Sequence, residues 1–199
     1  MRALCLLLFM LAGPALADRK ACVEAGERLY VDQPAMVDIQ EAFKRCRPLA
    51  EAGDGEAQYY FASVHMFRTI SQPPANPVVE KWMKLSAGNG YGKAQFYMAT
   101  VYRYGNAVTP RDVPRMMDMY EKAARQEVPP ATLELARIWR YGGFGFPADA
   151  AKAAYWYEDA AKRFRIRDAM QALVELYREK DPKKAQYWKE QLEKQRCCE

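Results

Sequence analysis

An interval of 37 residues constrains this chain more than any single motif in it. Ala57, Ala94 and Ala131 stand 37 apart, and Ala169 follows at 38. Each opens a helix-like segment: AQYYFASVHMF, AQFYMATVYRY, ATLELARIWRY and AMQALVELYR. A linker and a second helix-like segment follow each one: VVEKWMKLSAG, VPRMMDMYEKAAR, AAKAAYWYEDAAKR and PKKAQYWKEQLEKQ. Trp82, Met119 and Trp156 recur at the same interval, and Trp188 follows at 32, where Lys180-Asp181-Pro182 shortens the linker. A structural unit repeats at a fixed interval; a catalytic loop has no reason to.

Periodicity inside the first segments sets their faces. Ala57, Phe61 and His65 lie at i, i+4 and i+8, as do Ala94, Met98, Tyr102 and Ala131, Leu135, Trp139. These are core faces of amphipathic helices. Ala62, Ala99 and Ala136 occupy one equivalent position, where a small side chain admits a neighbouring helix. Pro73-Pro74, Pro77, Gly105, Pro110, Gly142-Gly143 and Pro147 punctuate the linkers. Asp112 and Asp149 sit where helix N-caps belong, and Pro114 lies just inside a second helix. The stretch YGGFGFP, at 141–147, raises the question of a phosphate-cradling loop. The Lys and Ser/Thr of such a loop do not follow it, so its glycines are read as a turn at positive φ.

Residues 19–30 and 36–52 form a further, degenerate helix pair, ending in a repeat-like Leu49-Ala50-Glu51-Ala52-Gly53-Asp54. Each amphipathic pair cannot bury its apolar face alone, so neighbours must stack on it. The expected fold is therefore all-α, an α-solenoid of about four to five antiparallel helix pairs, the count following from the repeats just described. The domain reading is a signal segment over 1–17, a degenerate pair over 18–54, an array over 55–195 and a tail over 196–199.

The combination resembles the Sel1-like repeat family, whose units follow A-x-x-x-L-G-x-x-Y and then G-x-G-V-x-x-D-x-x-K-A-x-x-W-Y-x-K-A-A-x-x-G. Gly143, Gly145, Asp149, Lys152, Ala153, Trp156, Tyr157, Ala160 and Ala161 match in the third unit. The second keeps Asp112, Tyr120, Lys122, Ala123 and Ala124 but not the two glycines or the Lys-Ala pair. The first departs further, with SQPPANP in place of the glycine turn. The resemblance implies a tetratricopeptide-like, right-handed superhelix and a role as an interaction scaffold. It also brings in a rival, since some members are linked to binding or hydrolysing β-lactams and peptidoglycan fragments.

The N-terminus reads as a secretory signal: Met1-Arg2, the apolar run ALCLLLFMLA and Ala15-Leu16-Ala17, with cleavage expected after Ala17. A periplasmic or secreted location follows, with no membrane insertion. Cys22, Cys46, Cys197 and Cys198 then remain in an oxidising place and allow three pairings. Cysteine-rich members of the family carry staples within a helix pair, which supports a Cys22–Cys46 disulfide. It would close a loop of about 25 residues and contribute roughly 3 kcal/mol in the chain-entropy picture. For Cys197-Cys198 three states stay open: an adjacent-residue disulfide, a bond joining two chains as a dimer, or free thiols in a flexible tail.

Lys and Arg interleave with Asp and Glu despite a net charge of +5, so nucleic acid is not an expected partner. The one histidine, His65, aligns with Tyr102 and Trp139 on the core face and is read as a core residue. None of Ser63, Ser71 and Ser86 has a lysine three places on, as the serine β-lactam chemistry requires. No catalytic residue, cofactor or metal ligand set is expected, and the chain is read as no enzyme. A second stripe on the first helices avoids the core positions: Tyr59, Ser63, Met66; Phe96, Thr100, Arg103; Leu133, Arg137, Arg140; Gln171, Glu175, Arg178. By analogy with tetratricopeptide-like stacks it lines a concave groove. Tyr59, Ser63, Phe96, Thr100, Arg103, Arg137 and Arg140 are the binding candidates, for a protein or peptide partner. Packing of Tyr59, Phe96 and Leu133 against adjacent helices is the equal alternative.

Overall fold

The computed structural model describes residues 16, 18–31, 34–68 and 76–196. The expected signal cleavage site, the SQPPA part of the first linker and Cys197-Cys198 lie outside the described residues. Every regular element among the described residues is helical. Helix α1 spans 18–27 and tightens into a 3-10 turn, Arg28–Tyr30. Then come α2 (Met36–Glu51), α3 (Gly55–Arg68), α4 (Pro77–Gly88), α5 (Gly92–Tyr104), α6 (Val113–Arg125), α7 (Pro129–Tyr141), α8 (Ala150–Phe164), α9 (Arg167–Tyr177) and α10 (Pro182–Arg196). They fall into two compact units, Met1–Asp112 and Val113–Glu199.

Within the first unit, α2 packs on α3, α3 on α4, and α4 on α5. Cys22, Cys46, Ala50, Ala57, Tyr60 and Phe61 form one buried cluster, and Ala25, Leu29, Ile39, Ala42 and Val64 another. The Cys22–Cys46 disulfide is present, with Cα atoms 4.8 Å apart, and ties α1 to α2 as the resemblance implied. His65 lies half-buried among aromatic rings, edge-on to Phe61 at 4.9 Å. Within the second unit, α6 packs on α7, α7 on α8, α8 on α9, and α9 on α10. Its core joins Ala136, Ala153, Tyr157, Ala160, Met170, Leu173 and Trp188, with Trp156 packed at the margin. Ala62, Ala99 and Ala136 are all fully buried. Each large side chain removed from water, such as Tyr60, Met98 or Leu135, contributes about 1.5–3 kcal/mol.

Short polar residues start some of the helices. Asn76 Oδ1 accepts from the amides of Val78 and Val79, at 2.9 and 3.4 Å, with Pro77 at the first helical position of α4. Asp149 Oδ1 accepts from the amides of Ala151 and Lys152, at 3.0 Å each, and so caps α8 as read from the sequence. Asp54 and Asp181 do the same for Ala57 and Lys184.

The two glycine linkers are built alike. In the second unit the Gly142 amide donates to the Ile138 carbonyl at 2.9 Å, and the Asp149 amide donates to the Trp139 carbonyl at 2.7 Å. The corresponding bonds 37 residues earlier run from Gly105 to Val101 at 2.8 Å and from Asp112 to Tyr102 at 2.9 Å. Gly105 and Gly142 have φ of 70° and 71° with extended ψ of 165° and −168°, a region open essentially to glycine alone. Between these anchors the chains differ. Gly143 and Phe146 exchange two backbone bonds of 2.9 Å, and Phe146 packs against Trp139 at 5.6 Å. In the earlier linker Asn106 replaces the glycines: its Oδ1 accepts from the amides of Val108 and Thr109 at 2.9 and 2.7 Å. An Asx turn thus does there what backbone freedom does in the later linker.

A second recurring position follows α2, α4, α6 and α8. Gly53, Gly90, Glu127 and Arg165 all have positive φ, of 96°, 89°, 61° and 54°. The spacing is 37, 37 and 38, matching the helix-opening alanines. Two of the four are not glycine.

Candidate functional site

In the first unit, Ser63 is fully buried and Tyr59 half-buried on α3. Tyr30, from the 3-10 turn, lies over both. Its ring stacks on Tyr59 with centroids 6.2 Å apart and planes 10° apart. Its hydroxyl donates to the Tyr59 hydroxyl at 2.8 Å and lies 2.6 Å from Ser63 Oγ. Ser63 Oγ also donates to the Tyr59 carbonyl at 2.9 Å. Burial, reinforced by Tyr30, pushes the Tyr59 phenol far above its ordinary value. This part of the stripe is therefore covered by the chain's own Tyr30. On α5, Phe96, Thr100 and Arg103 are half-buried. Thr100 Oγ1 donates to the Phe96 carbonyl at 3.2 Å, and the Arg103 guanidinium sits 5.3 Å from the Tyr104 ring centroid.

In the second unit the stripe opens into a cleft of about 240 Å³ between α7 and α9. Leu133, Arg137, Arg140 and Tyr141 come from α7, Asp168, Gln171, Ala172 and Glu175 from α9, with Tyr157 of α8 behind. This volume is below the roughly 300–1,000 Å³ of pockets that enclose a small molecule. It suits part of a chain laid along the face better than a whole ligand taken inside.

Arg140 is the centre of the cleft. Its side chain is only 19% exposed, and its guanidinium is ion-paired with Glu175, whose side chain is 43% exposed. Tyr157 lines the same cleft and favours the guanidinium charge. Burial alone would loosen the Arg140 proton, but Glu175 and Tyr157 outweigh it and hold the charge. The guanidinium also lies 5.1 Å from the ring centroid of Tyr141, itself 71% exposed. Arg103 and Tyr104 repeat that arrangement on α5, with Tyr104 70% exposed. Arg137 is at the rim, 3.0 Å from Glu134 and 3.9 Å from Asp168.

A neighbouring hollow of about 420 Å³ is floored by Ala150, Ala151 and Ala154 and edged by Tyr155, Leu176 and Lys180. The one carboxylate in it, Glu158, is bonded to Lys162 at 2.5 Å and to the Tyr177 hydroxyl at 2.8 Å. Glu158 and Tyr177 are thus engaged with groups of the chain itself. No group of three or more His, Cys, Asp or Glu among the described residues could hold a metal ion.

Stacked helical hairpins, joined by turns that recur at a fixed interval, define the chain as an α-solenoid. Within that class it has the Sel1-repeat fold. Its structure resembles that of a Sel1 repeat protein from Oxalobacter formigenes, with a TM-score of 0.64 and 26% identity, over 87% of this chain and 71% of that one. It also resembles c5321, a protective antigen present in uropathogenic Escherichia coli strains displaying an SLR fold, with a TM-score of 0.66 and 21% identity. There it covers 87% of this chain and 38% of c5321. No protein-family model matches the sequence, and no curated protein matches it.

Proposed function

We propose that this chain is an exported adaptor that holds a protein or peptide partner in the cell envelope. The observation that carries the reading is the α7–α9 cleft, where two arginines and an exposed tyrosine surround an apolar floor of Leu133 and Ala172. Tyrosine and arginine are the residue types that dominate interface energetics. Since Tyr30 covers Tyr59 and Ser63, the binding role rests on Arg103 with Tyr104 in one unit and on Arg137 and Arg140 with Tyr141 in the other. The buried Cys22–Cys46 disulfide supports an oxidising compartment. Among the described residues no helix is long and apolar enough to cross a membrane.

Affinity capture from the exported fraction tests the role, with the wild type beside an Arg103→Glu/Arg140→Glu double variant. The variant is expected to lose the captured partner while its helical circular dichroism stays unchanged. Full capture by a folded double variant would reject these faces. N-terminal sequencing of the protein recovered outside the cytoplasm tests export: it should begin at Asp18.

A further inference from the structure

The pairing of Arg140 with Glu175 has an asymmetry that assigns the cleft a ligand. Arg140 is the fixed partner. Its side chain is 19% exposed, Tyr157 lines the cleft with it, and the Tyr141 ring lies beside it. Glu175 is the removable partner. Its side chain is 43% exposed on α9, so it can turn into water and recover its hydration. Because the Glu175 end of the pair is open to water, leaving Arg140 costs Glu175 little of its solvation. A guanidinium has five N–H donors in a planar fork, a shape that suits a carboxylate.

The charge balance makes exchange necessary. Arg137 and Arg140 face Glu134, Asp168 and Glu175, one carboxylate more than the guanidinium groups. An incoming acid therefore gains nothing by simple addition to this face; it gains only by displacing a carboxylate already there. Beside that point the floor is apolar, with Leu133 half-buried and Ala172 buried.

We propose that Glu175 is a stand-in for a ligand carboxylate. The ligand is a peptide segment bearing an Asp or Glu side chain next to an apolar one. Its carboxylate takes the Arg140 fork, Glu175 swings out, and the apolar neighbour covers Leu133. The proposal rests on the adaptor reading above and adds to it the chemistry of the partner and a built-in competitor.

The test is a fluorescence-anisotropy titration of the whole mature chain. The probe is a short labelled peptide of alternating leucine and glutamate, acetylated and amidated so that no terminal carboxylate remains. Its glutamine counterpart is the control. The wild type is expected to prefer the glutamate peptide. Glu175→Gln is expected to strengthen binding of the glutamate peptide by roughly fivefold and leave the glutamine peptide unchanged. Arg140→Gln is expected to abolish the preference. If that variant fails to fold, the Glu175→Gln result and the peptide pair decide alone. Unchanged or weakened binding of the glutamate peptide by folded Glu175→Gln overturns the proposal, as does no binding of either peptide. Equal binding of the two peptides by the wild type also overturns it, while leaving the adaptor reading intact. That reading fails separately, by full partner capture with the double variant.

Discussion

The Asp149 amide donates to the Trp139 carbonyl at 2.7 Å, and the Asp112 amide meets the Tyr102 carbonyl in the same way at 2.9 Å. Each bond returns the chain from the end of one helix to a point beside it before the next helix begins. The side chains between these anchors differ almost completely, yet the path is retained. The glycine at the start of each linker is what the path cannot do without.

Gly105→Ala and Gly142→Ala should each destabilise the protein by about 1–3 kcal/mol, because both hold a backbone region that a Cβ forbids. Space is short as well: an added Cβ would stand 2.7 Å from the Arg111 nitrogen or 3.0 Å from the Ala148 nitrogen. Urea unfolding followed by circular dichroism measures the effect. A midpoint within error of the wild type would contradict the linker geometry.

Arg165→Gly should act in the opposite direction. Arg165 ends α8 at φ 54° and ψ 36°, left-handed backbone that costs a side-chain-bearing residue about 1–2 kcal/mol. Gln195 bonds the Arg165 carbonyl, which glycine keeps. After the greater chain entropy of glycine, a net gain of about 0.5–1 kcal/mol is expected. A lower unfolding midpoint would show that the Arg165 side chain contributes more than its backbone costs.

Replacing Cys22 and Cys46 together by alanine should lower stability by about 3 kcal/mol, through the freed loop in the unfolded chain. Both sulfurs are fully buried, so mild reductant should act on the native protein only slowly. Thermal unfolding with and without reductant tests both statements. Coincident curves would deny the bridge a stabilising role.

Alkali provides an independent probe of the first unit. Burial raises the Tyr60 phenol to about 12, and burial raises Tyr91 further, next to Tyr60 and Glu56. A group whose folded value is raised gives stability that is present below its unfolded value of about 10. That contribution is lost as pH climbs towards 12. Phenolate absorbance should therefore rise in two phases, the later one from Tyr60 and Tyr91 and only with loss of helix. One smooth phase near pH 10 would mean that Tyr60 and Tyr91 are open to water.

Much of this was legible in the sequence. The alanines at 57, 94, 131 and 169 marked the first helices by their interval, and Ala62, Ala99 and Ala136 did so because close helix approach demands a small residue there. Gly142 and Gly143 showed the turn because few other residues take that backbone. The left-handed ends at Glu127 and Arg165 left no such mark, since neither residue advertises positive φ. Asn106 hid a turn equivalent to the glycine one, because a side-chain bond replaced a backbone freedom. Tyr30 over Tyr59 was out of reach for another reason. It reaches 29 residues along the chain from a 3-10 turn that has no counterpart among the described residues. The stripe did place Arg140 and Glu175 together, but not their pairing, which depends on how deeply each is set.

Turns held by main-chain atoms and a few glycines release the outward side chains from any duty to the skeleton. Such a chain can exchange nearly all the characters it shows to water and still trace the same route. Its lineage then fades from the letters long before it fades from the shape, and new acquaintances can be made without redrawing the frame.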